Sequence, residues 1–396
     1  IAKAKVGEIR SMGLPQVNGS LDVGNNFVQQ QNFLPAEFFG GEPGTFTPVT
    51  FTPTYTGNAV ITGNQLLFDG TYLIGLKAAK TYTELSRKST EQSEIEVAEQ
   101  VSKAYFGVLV NRERMELLNQ NISRLETLLG QTKVMFDNGV AEKLDVDRLR
   151  VSLNNLKVEK QKAERLMDLS ESLLKFQMGI DQKQPLTLTD KLSEVEVNMA
   201  QVAPKAFDYS RRIEYSILET QRDLAELDLR NKRSGYLPKL YLNARYGYNA
   251  ANNDFDQITK TRNWLEYGYV GGQLQIPIFD GLRKHYQIQQ AKLTLDNTKY
   301  GFETLRKIID LQIDQSSIEL TNALDVLDSR RENLTLAEDI ARVAKIKFQE
   351  GVGSNLEVIT AETDLREAQT NYYAAIYDAL IAKVNLEKAT GSLLTK

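Results

Sequence analysis

Cysteine is absent from this chain of 396 residues, and histidine occurs once. The first absence excludes a disulfide framework and any thiolate metal site. It suits a cytosolic protein or a bacterial envelope protein equally. Proline is scarce, with nine residues in all, four of them between Pro35 and Pro53. Because an interior proline breaks a helix, the long proline-free stretches rich in Leu, Glu, Lys, Gln, Asn and Ala read as helical. No apolar run approaches the roughly 20 residues of a membrane-spanning helix. The net charge is only -4, which points neither to nucleic acid nor to an anionic membrane surface as partner. No signal peptide is visible. The sequence opens inside what reads as a helix, so a processed or trimmed N-terminus is expected.

What is present is said twice. Phe68-Asp69-Gly70 returns as Phe279-Asp280-Gly281, and Phe136-Asp137-Asn138-Gly139-Val140 returns as Phe348-Gln349-Glu350-Gly351-Val352. Leu144-Asp145-Val146 returns as Leu356-Glu357-Val358, and Gly179 as Gly391, each about 212 residues on. Leu14-Pro15 returns as Leu237-Pro238 at a larger offset of about 223, so the loop between strands is longer in the first copy. A period this long means a duplicated half-structure rather than a solenoid. The expected repeats are residues 1–200 and 201–396, related by a pseudo-twofold.

Each copy reads as two strands followed by a long helical hairpin. In the first copy the strands are about 14–28 and 58–68, joined by a loop rich in Pro, Gly and Phe. In the second they are about 236–250 and 267–279. The clearest alternation puts Leu240, Leu242, Ala244, Tyr246 and Tyr248 on one face, with Lys239, Tyr241, Asn243, Arg245 and Asn249 on the other. Pro277 falls near a strand end, where it is tolerated. Helices are expected over about 71–138 and 141–178, then 201–234, 282–350 and 355–390. The long ones would each reach roughly 100 Å at 1.5 Å per residue. The pieces 141–178 and 201–234 would together match one long helix. The same sum in the other copy requires about 20–30 residues preceding residue 1. Along 282–350, Leu305, Ile309, Ile313, Leu320, Leu324, Leu327, Leu334, Ala337, Ala341, Ala344 and Phe348 mark a coiled-coil seam. A second stripe lies beside it: Phe302, Ile308, Leu311, Ile318, Val326, Leu336, Ile340 and Val343. Two seams on one helix mean two neighbours, as in a ring of helices. The fold class is therefore α+β, mainly long helical hairpins with a small strand contribution and an internal twofold repeat.

Four strands cannot close a barrel, which needs about eight. An open sheet leaves two unpaired edges. Each strand is long enough to cross a bilayer when tilted. Tyr236, Tyr246, Tyr248, Trp264, Tyr267 and Tyr269 cluster around the strands and are candidates for membrane-interface girdles. A soluble coiled-coil scaffold with a small capping sheet explains the same periodicities and stands as the alternative.

The ordered set of repeated elements resembles the TolC-like outer-membrane efflux proteins. It comprises the Leu-Pro strand openings, the Phe-Asp-Gly junctions, and the hairpin tips Phe136-x-x-Gly139 and Phe348-x-x-Gly351, each followed by Leu-acidic-Val. The resemblance covers nearly the whole chain. It implies a homotrimer with a twelve-stranded β-barrel in the outer membrane and a coiled-coil α-barrel in the periplasm. The implied partners are outer-membrane lipid, a periplasmic adaptor and an inner-membrane pump. The implied function is a passive exit duct of an efflux or secretion system, opened at its helical tips. Drugs, metals and proteins are all open as cargo.

At the tips, Gly139 and Gly351 read as helix C-terminal glycines of positive φ, and Gly353 loosens the second turn. The resemblance makes Phe136, Gly139, Val140, Phe348, Gly351, Val352 and Gly353 the adaptor contact. Glu357 follows Ser354 by three residues in a capping-box pattern; Asp145 is its counterpart, with Asp147 nearby. These carboxylates are either helix-start residues favoured by the dipole or an acidic constriction that favours cations. Some relatives carry a second acid where Thr360 stands, a basic residue at Gly353 and a polar aromatic at Phe348. His285, near a helix start, forms no triad or metal site. Gly351-Val352-Gly353 lies between helices, not after a strand, which argues against nucleotide binding. No nucleophile–base constellation is present, so no enzyme, cofactor or metal is expected. The loops Gln29–Thr56 and Ala251–Asn263 lie at the end opposite the tips. Phe33, Phe38, Phe39, Phe46 and Phe51 fit a self-packed surface loop, an extracellular lid or a contact with a partner protein.

Overall fold

A computed structural model describes residues 1–190, 192 and 207–394. The chain divides into two compact units, one built from residues 1–86 and 219–300, the other from 87–218 and 301–396. Each unit draws on both halves of the sequence.

The first unit holds a four-stranded antiparallel sheet of β1 (Gln16–Asn25), β4 (Tyr55–Phe68), β5 (Lys239–Asn252) and β6 (Leu265–Gln275), in the order β1-β4-β5-β6. β1 and β6 are its edges. The first helix, α1 (Ala2–Ser11), precedes β1. Helix α2 (Gly70–Asp137) begins directly after β4, and α6 (Arg283–Gln349) follows β6. The repeated aspartates explain both helix starts. Asp69 accepts hydrogen bonds from the Thr71 amide at 2.7 Å and the Thr71 hydroxyl, and pairs with Lys239 at 2.8 Å. Asp280 accepts from the Lys284 amide at 3.2 Å and pairs with its ammonium at 3.1 Å. Both satisfy helix N–H groups that have no carbonyl partner.

The stretch between β1 and β4, expected as a loop, contains a second small sheet. Strands β2 (Gln31–Pro35) and β3 (Phe46–Thr50) pair antiparallel around a 3-10 turn at Ala36–Phe39. The stretch between β5 and β6 carries a single helical turn, α5 (Phe255–Ile258), and a 3-10 turn at Thr261–Asn263.

The second unit is helical. Helix α3 (Lys143–Met178) packs on α2 through Ala104, Val108 and Leu174. Helix α7 (Asn355–Ala389) packs on α6 through Leu320, Leu324, Ala337 and Ala341 against Ala361, Leu365, Ala379, Ala382 and Leu386. Leu109 and Val110 of α2 meet Leu380 of α7. Away from the tips the side-by-side order is therefore α3, α2, α7, α6, while at the tips α3 also meets α7. All four helix ends at Gly139, Gly179, Gly351 and Gly391 are closed by a positive-φ glycine with paired backbone bonds to the last turn, as at Val140 N–H to Met135 C=O, 2.8 Å.

One expected helix starts later than the sequence suggests. Helix α4 is Ile213–Ser234, 22 residues, where 201–234 was expected. Residues 201–206 lie outside the described residues. Before Ile213, the Asp208 side chain accepts from the Ser210 amide and sets a 3-10 turn, and Arg212 is extended. Arg212 is held there by Glu214 at 2.9 Å, by the Ala389 carbonyl at 2.8 Å and by Gln312 at 3.0 Å. The length match that assumed a helix of about 34 residues does not apply to α4.

Candidate functional site

Two surfaces concentrate the residues that the sequence singles out: the sheet in the first unit and the helical tips in the second.

On the sheet, register decides the faces. Val17 opposes Gly63, which opposes Ala244, which opposes Val270; Leu21 opposes Ala59, which opposes Tyr248. Directly opposed residues share a face. One face therefore carries Val17, Leu21, Val23, Ile61, Leu242, Tyr246, Val270 and Leu274 across four strands. Exposures run from 39% at Leu242 to 74% at Val270, far more apolar surface than a soluble sheet leaves bare. The opposite face carries Asn18, Ser20, Asp22, Asn58, Thr62, Asn64, Asn243, Arg245 and Asn249. A continuous apolar face backed by a polar one is the pattern of a membrane strand between lipid and an aqueous lumen.

The six aromatics singled out do not share one surface. Tyr246 and Tyr248 lie on the apolar face, with Tyr246 donating to Glu266 at 3.0 Å. Tyr267 and Tyr269 lie on the polar face: Tyr267 donates to Asn58 at 2.8 Å, and Arg245 sits 4.9 Å over the Tyr269 ring. Trp264 donates to the Ile258 carbonyl at 2.8 Å. Tyr236 lies before β5, under the Lys284 ammonium.

The tips lie together. Phe348 is 7% exposed and packs with Leu125, Leu128, Leu149, Leu153 and Val358, drawing both hairpins into one cluster. Phe136 is 39% exposed, Val140 72% and Val352 78%. Gly139 and Gly351 have φ of 76° and 75°, which a side chain resists by about 1–2 kcal/mol. Thus Phe348 serves the core, whereas Phe136, Val140 and Val352 are open to a partner. At Gly353, an added Cβ would press on the Lys347 backbone.

The three acids have different settings. Asp145 accepts from the Glu142 amide at 3.4 Å while Glu142 caps α3, a reciprocal box. Asp147 lies 4.0 Å from Arg150. The Glu357 amide donates to Ser354 Oγ at 3.2 Å, and Glu357 is among the residues lining an open groove of about 720 Å³, with Asp339, Lys347, Thr360 and Asp364. Asn355, 3% exposed, donates to the Asp145 carbonyl at 3.1 Å, so the starts of α3 and α7 are joined. His285 stacks edge-on against Tyr286 in the first turn of α6.

A buried polar chain between α2 and α7 is absent from the sequence reading. Asn121, 5% exposed, donates to Gln369 at 3.0 Å; Arg124 bonds Asn121 and lies 3.4 Å from Glu362. The buried Arg124 Nε, Thr132 Oγ1 and Asn355 Oδ1 lack a hydrogen-bond partner, unusual in a packed interior. A little further along α2, Glu99 is clamped by Lys103 and Lys388, each at 2.6 Å. No local motif announces the Asn121–Gln369, Arg124–Glu362 and Glu99–Lys388 links, whose partners lie hundreds of residues apart.

Among the described residues no helix is long and apolar enough to cross a membrane, and no group of three or more His, Cys, Asp or Glu is placed to hold a metal ion.

A family model described as outer membrane efflux protein matches residues 1–179 and 216–392. The chain is 23% identical over 348 residues to the toluene efflux pump outer membrane protein TtgC of Pseudomonas putida, covering 86% of this chain and 69% of that one. It is 21% identical over 295 residues to the outer membrane protein TolC of Vibrio cholerae, covering 74% and 67%. Its fold matches the open state of the MtrE outer membrane channel of Neisseria gonorrhoeae with a TM-score of 0.74 at 15% identity, over 99% of this chain and 84% of that one.

Proposed function

The chain belongs to the outer membrane efflux protein family, and on that premise we propose that three copies assemble into the passive exit duct of a tripartite efflux or secretion system. It is a channel of the outer membrane that extends into the periplasm. The observation that carries the trimer is the open sheet, apolar on one face, polar on the other and unpaired at β1 and β6. In lipid every backbone group needs a partner, so such a sheet must close. Three copies supply twelve strands, enough for a barrel with an aqueous interior. The soluble scaffold reading accounts for the helices but leaves the apolar face without a purpose.

The helices support the same closure. In the order α3, α2, α7, α6 the outer pair are edges, and both edges carry uncovered apolar stripes. On α6 these are Ile308, Leu311, Ile318, Val326, Leu336, Ile340 and Val343, 43–66% exposed; on α3 they include Leu144, Val151, Val158, Leu169 and Phe176, 52–69% exposed. Packing α6 of one copy on α3 of the next covers both stripes and makes a ring. Residues 1–200 and 201–396 are then two repeats, each giving two strands and one hairpin. The tips, with Phe136, Val140 and Val352 outward, meet a periplasmic adaptor, and an inner-membrane pump supplies the driving force. The chain is a conduit, not an enzyme. Its relatives include a toluene efflux component and an alkaline protease secretion protein, which fits a duct whose cargo is chosen by the pump. Tyr246 and Tyr248 fit the lipid interface, whereas Tyr267 and Tyr269 line the lumen.

Reconstituted into planar bilayers, the purified protein should give ion-conducting steps of one size; a preparation of intact protein that never conducts contradicts the duct. In this reading Asp145, Asp147 and Glu357 recur around the axis as an acidic constriction. Asp145→Asn combined with Glu357→Gln should lower the preference for cations in the same recordings. Unchanged selectivity would remove the constriction and leave the duct.

A further inference from the structure

The β2–β3 hairpin and its flanks form a largely uncovered aromatic surface of the first unit. Phe27, Phe33, Phe38, Phe39, Phe46 and Phe51 are 58–89% exposed. The hairpin is nonetheless well built. Its strands pair from Gln31–Thr50 to Pro35–Phe46. Ala36 is buried and its amide donates to the Thr45 carbonyl at 2.9 Å; the Gly44 amide donates to Glu37 at 3.2 Å. At its base Asn26 donates to the carbonyls of Thr54, at 2.7 Å, and Pro53, at 2.8 Å. An isolated two-stranded hairpin is marginal in water. Covering each phenylalanine removes apolar surface from water and is favourable. A shaped, uncovered aromatic surface of this size is an interface.

Charge and position indicate what covers it. Between Asn26 and Thr56 the chain carries Glu37 and Glu42 and no lysine or arginine. That composition disfavours an anionic lipid or glycolipid surface, which attracts basic residues. The hairpin leaves the sheet at Asn25, the end of edge strand β1. Asn25 pairs with Tyr55, Tyr55 with Asn252, and the nearby Asn249 with Leu265, so the other edge strand, β6, starts at the same end of the sheet. When edge β1 of one copy meets edge β6 of the next, the hairpin arrives beside the turn that leads into β6. This turn exposes Lys260 and Arg262, neither of which has an ion-pair partner among the described residues.

We propose that the β2–β3 hairpin of one copy docks on the Lys260–Trp264 turn of the next copy, so that three clasps ring the mouth of the barrel. Glu37 and Glu42 face Lys260 and Arg262, and the phenylalanines are covered between copies. The inference rests on the trimeric reading above and adds a contact that the strands and helices do not require.

The absence of cysteine makes the test clean. The full chain in detergent is prepared as Glu42→Cys with Lys260→Cys, as Glu37→Cys with Arg262→Cys, and as each single variant. A short bis-maleimide linker is added, and products are separated on denaturing gels while the mass of the native particle is measured in parallel. The expected result is covalent dimers and trimers from the double variants and single chains from the single ones. A three-chain particle in which neither pair links overturns the clasp, assigns the hairpin to a different partner and leaves the duct intact. A one-chain particle overturns the trimeric reading and the clasp with it. As a second measurement, Glu42→Lys should lower the temperature at which the particle dissociates, and adding Lys260→Glu should restore it; no restoration counts against the clasp.

Discussion

Glu99 shows what one carboxylate contributes inside the helical unit. Burial alone would push its pKa up. The hydrogen bonds and charges of Lys103 and Lys388 outweigh that effect and hold it below the ordinary value of 4.5. The folded state therefore binds its proton less readily than the unfolded chain. The stabilisation is complete above pH 4.5 and is lost as pH falls through the lowered folded value. Glu99→Gln should cost about 1–2 kcal/mol at neutral pH, allowing for the partial exposure of the two lysines. In thermal melts the gap between wild type and variant should close below pH 4.5; a gap independent of pH would show that the clamp carries no charge effect. The tip glycines were legible in the sequence, because Phe-x-x-Gly-Val followed by a capped helix has few other meanings. The Glu99–Lys388 and Asn121–Gln369 links were not. They join helices that meet only in the folded chain, and each residue alone reads as an ordinary helix-surface polar group.

Elements were read best where one periodicity ran for many turns. The first long helix was expected over 71–138 and spans Gly70–Asp137; the last was expected over 355–390 and spans Asn355–Ala389. The inner seam of α6 was equally clear: Ile309, Ile313, Leu320, Leu324, Ala337, Ala341 and Phe348 are all buried. The β2–β3 hairpin went unread because Pro35 and Pro48 demote its strands. Proline survives there since neither strand has a second neighbour to which it must donate. The beginning of α4 was misplaced because Asp208 and Arg212 divert the chain before Ile213. Among the described residues the outer stripe of α6 from Ile308 to Val343 is uncovered within one copy, whereas Phe302 at its start packs on Tyr215. Leu311→Lys with Ile318→Lys, at positions 66% and 60% exposed, should leave helix content unchanged by circular dichroism. Each interface should lose about 1.5–3 kcal/mol per side chain, enough to shift the particle toward single chains. If assembly is unaffected, α6 does not form a contact between copies.

At the scale of the whole molecule, the family and the fold were legible because the same ordered elements appear twice in the sequence. What one chain leaves exposed is as informative as what it buries. The sheet has two free edges and a bare apolar face, and the helical unit has two bare edge stripes. One closure, three copies around an axis, satisfies all of them. It also explains how a chain whose described residues include no apolar helix long enough to cross a membrane belongs in the outer membrane. The central claim is tested most directly by the mass of the detergent-solubilised particle, measured by light scattering with the detergent contribution subtracted. The account predicts a protein mass of three 44.7-kDa chains. A stable particle of one chain, soluble without detergent, would contradict it.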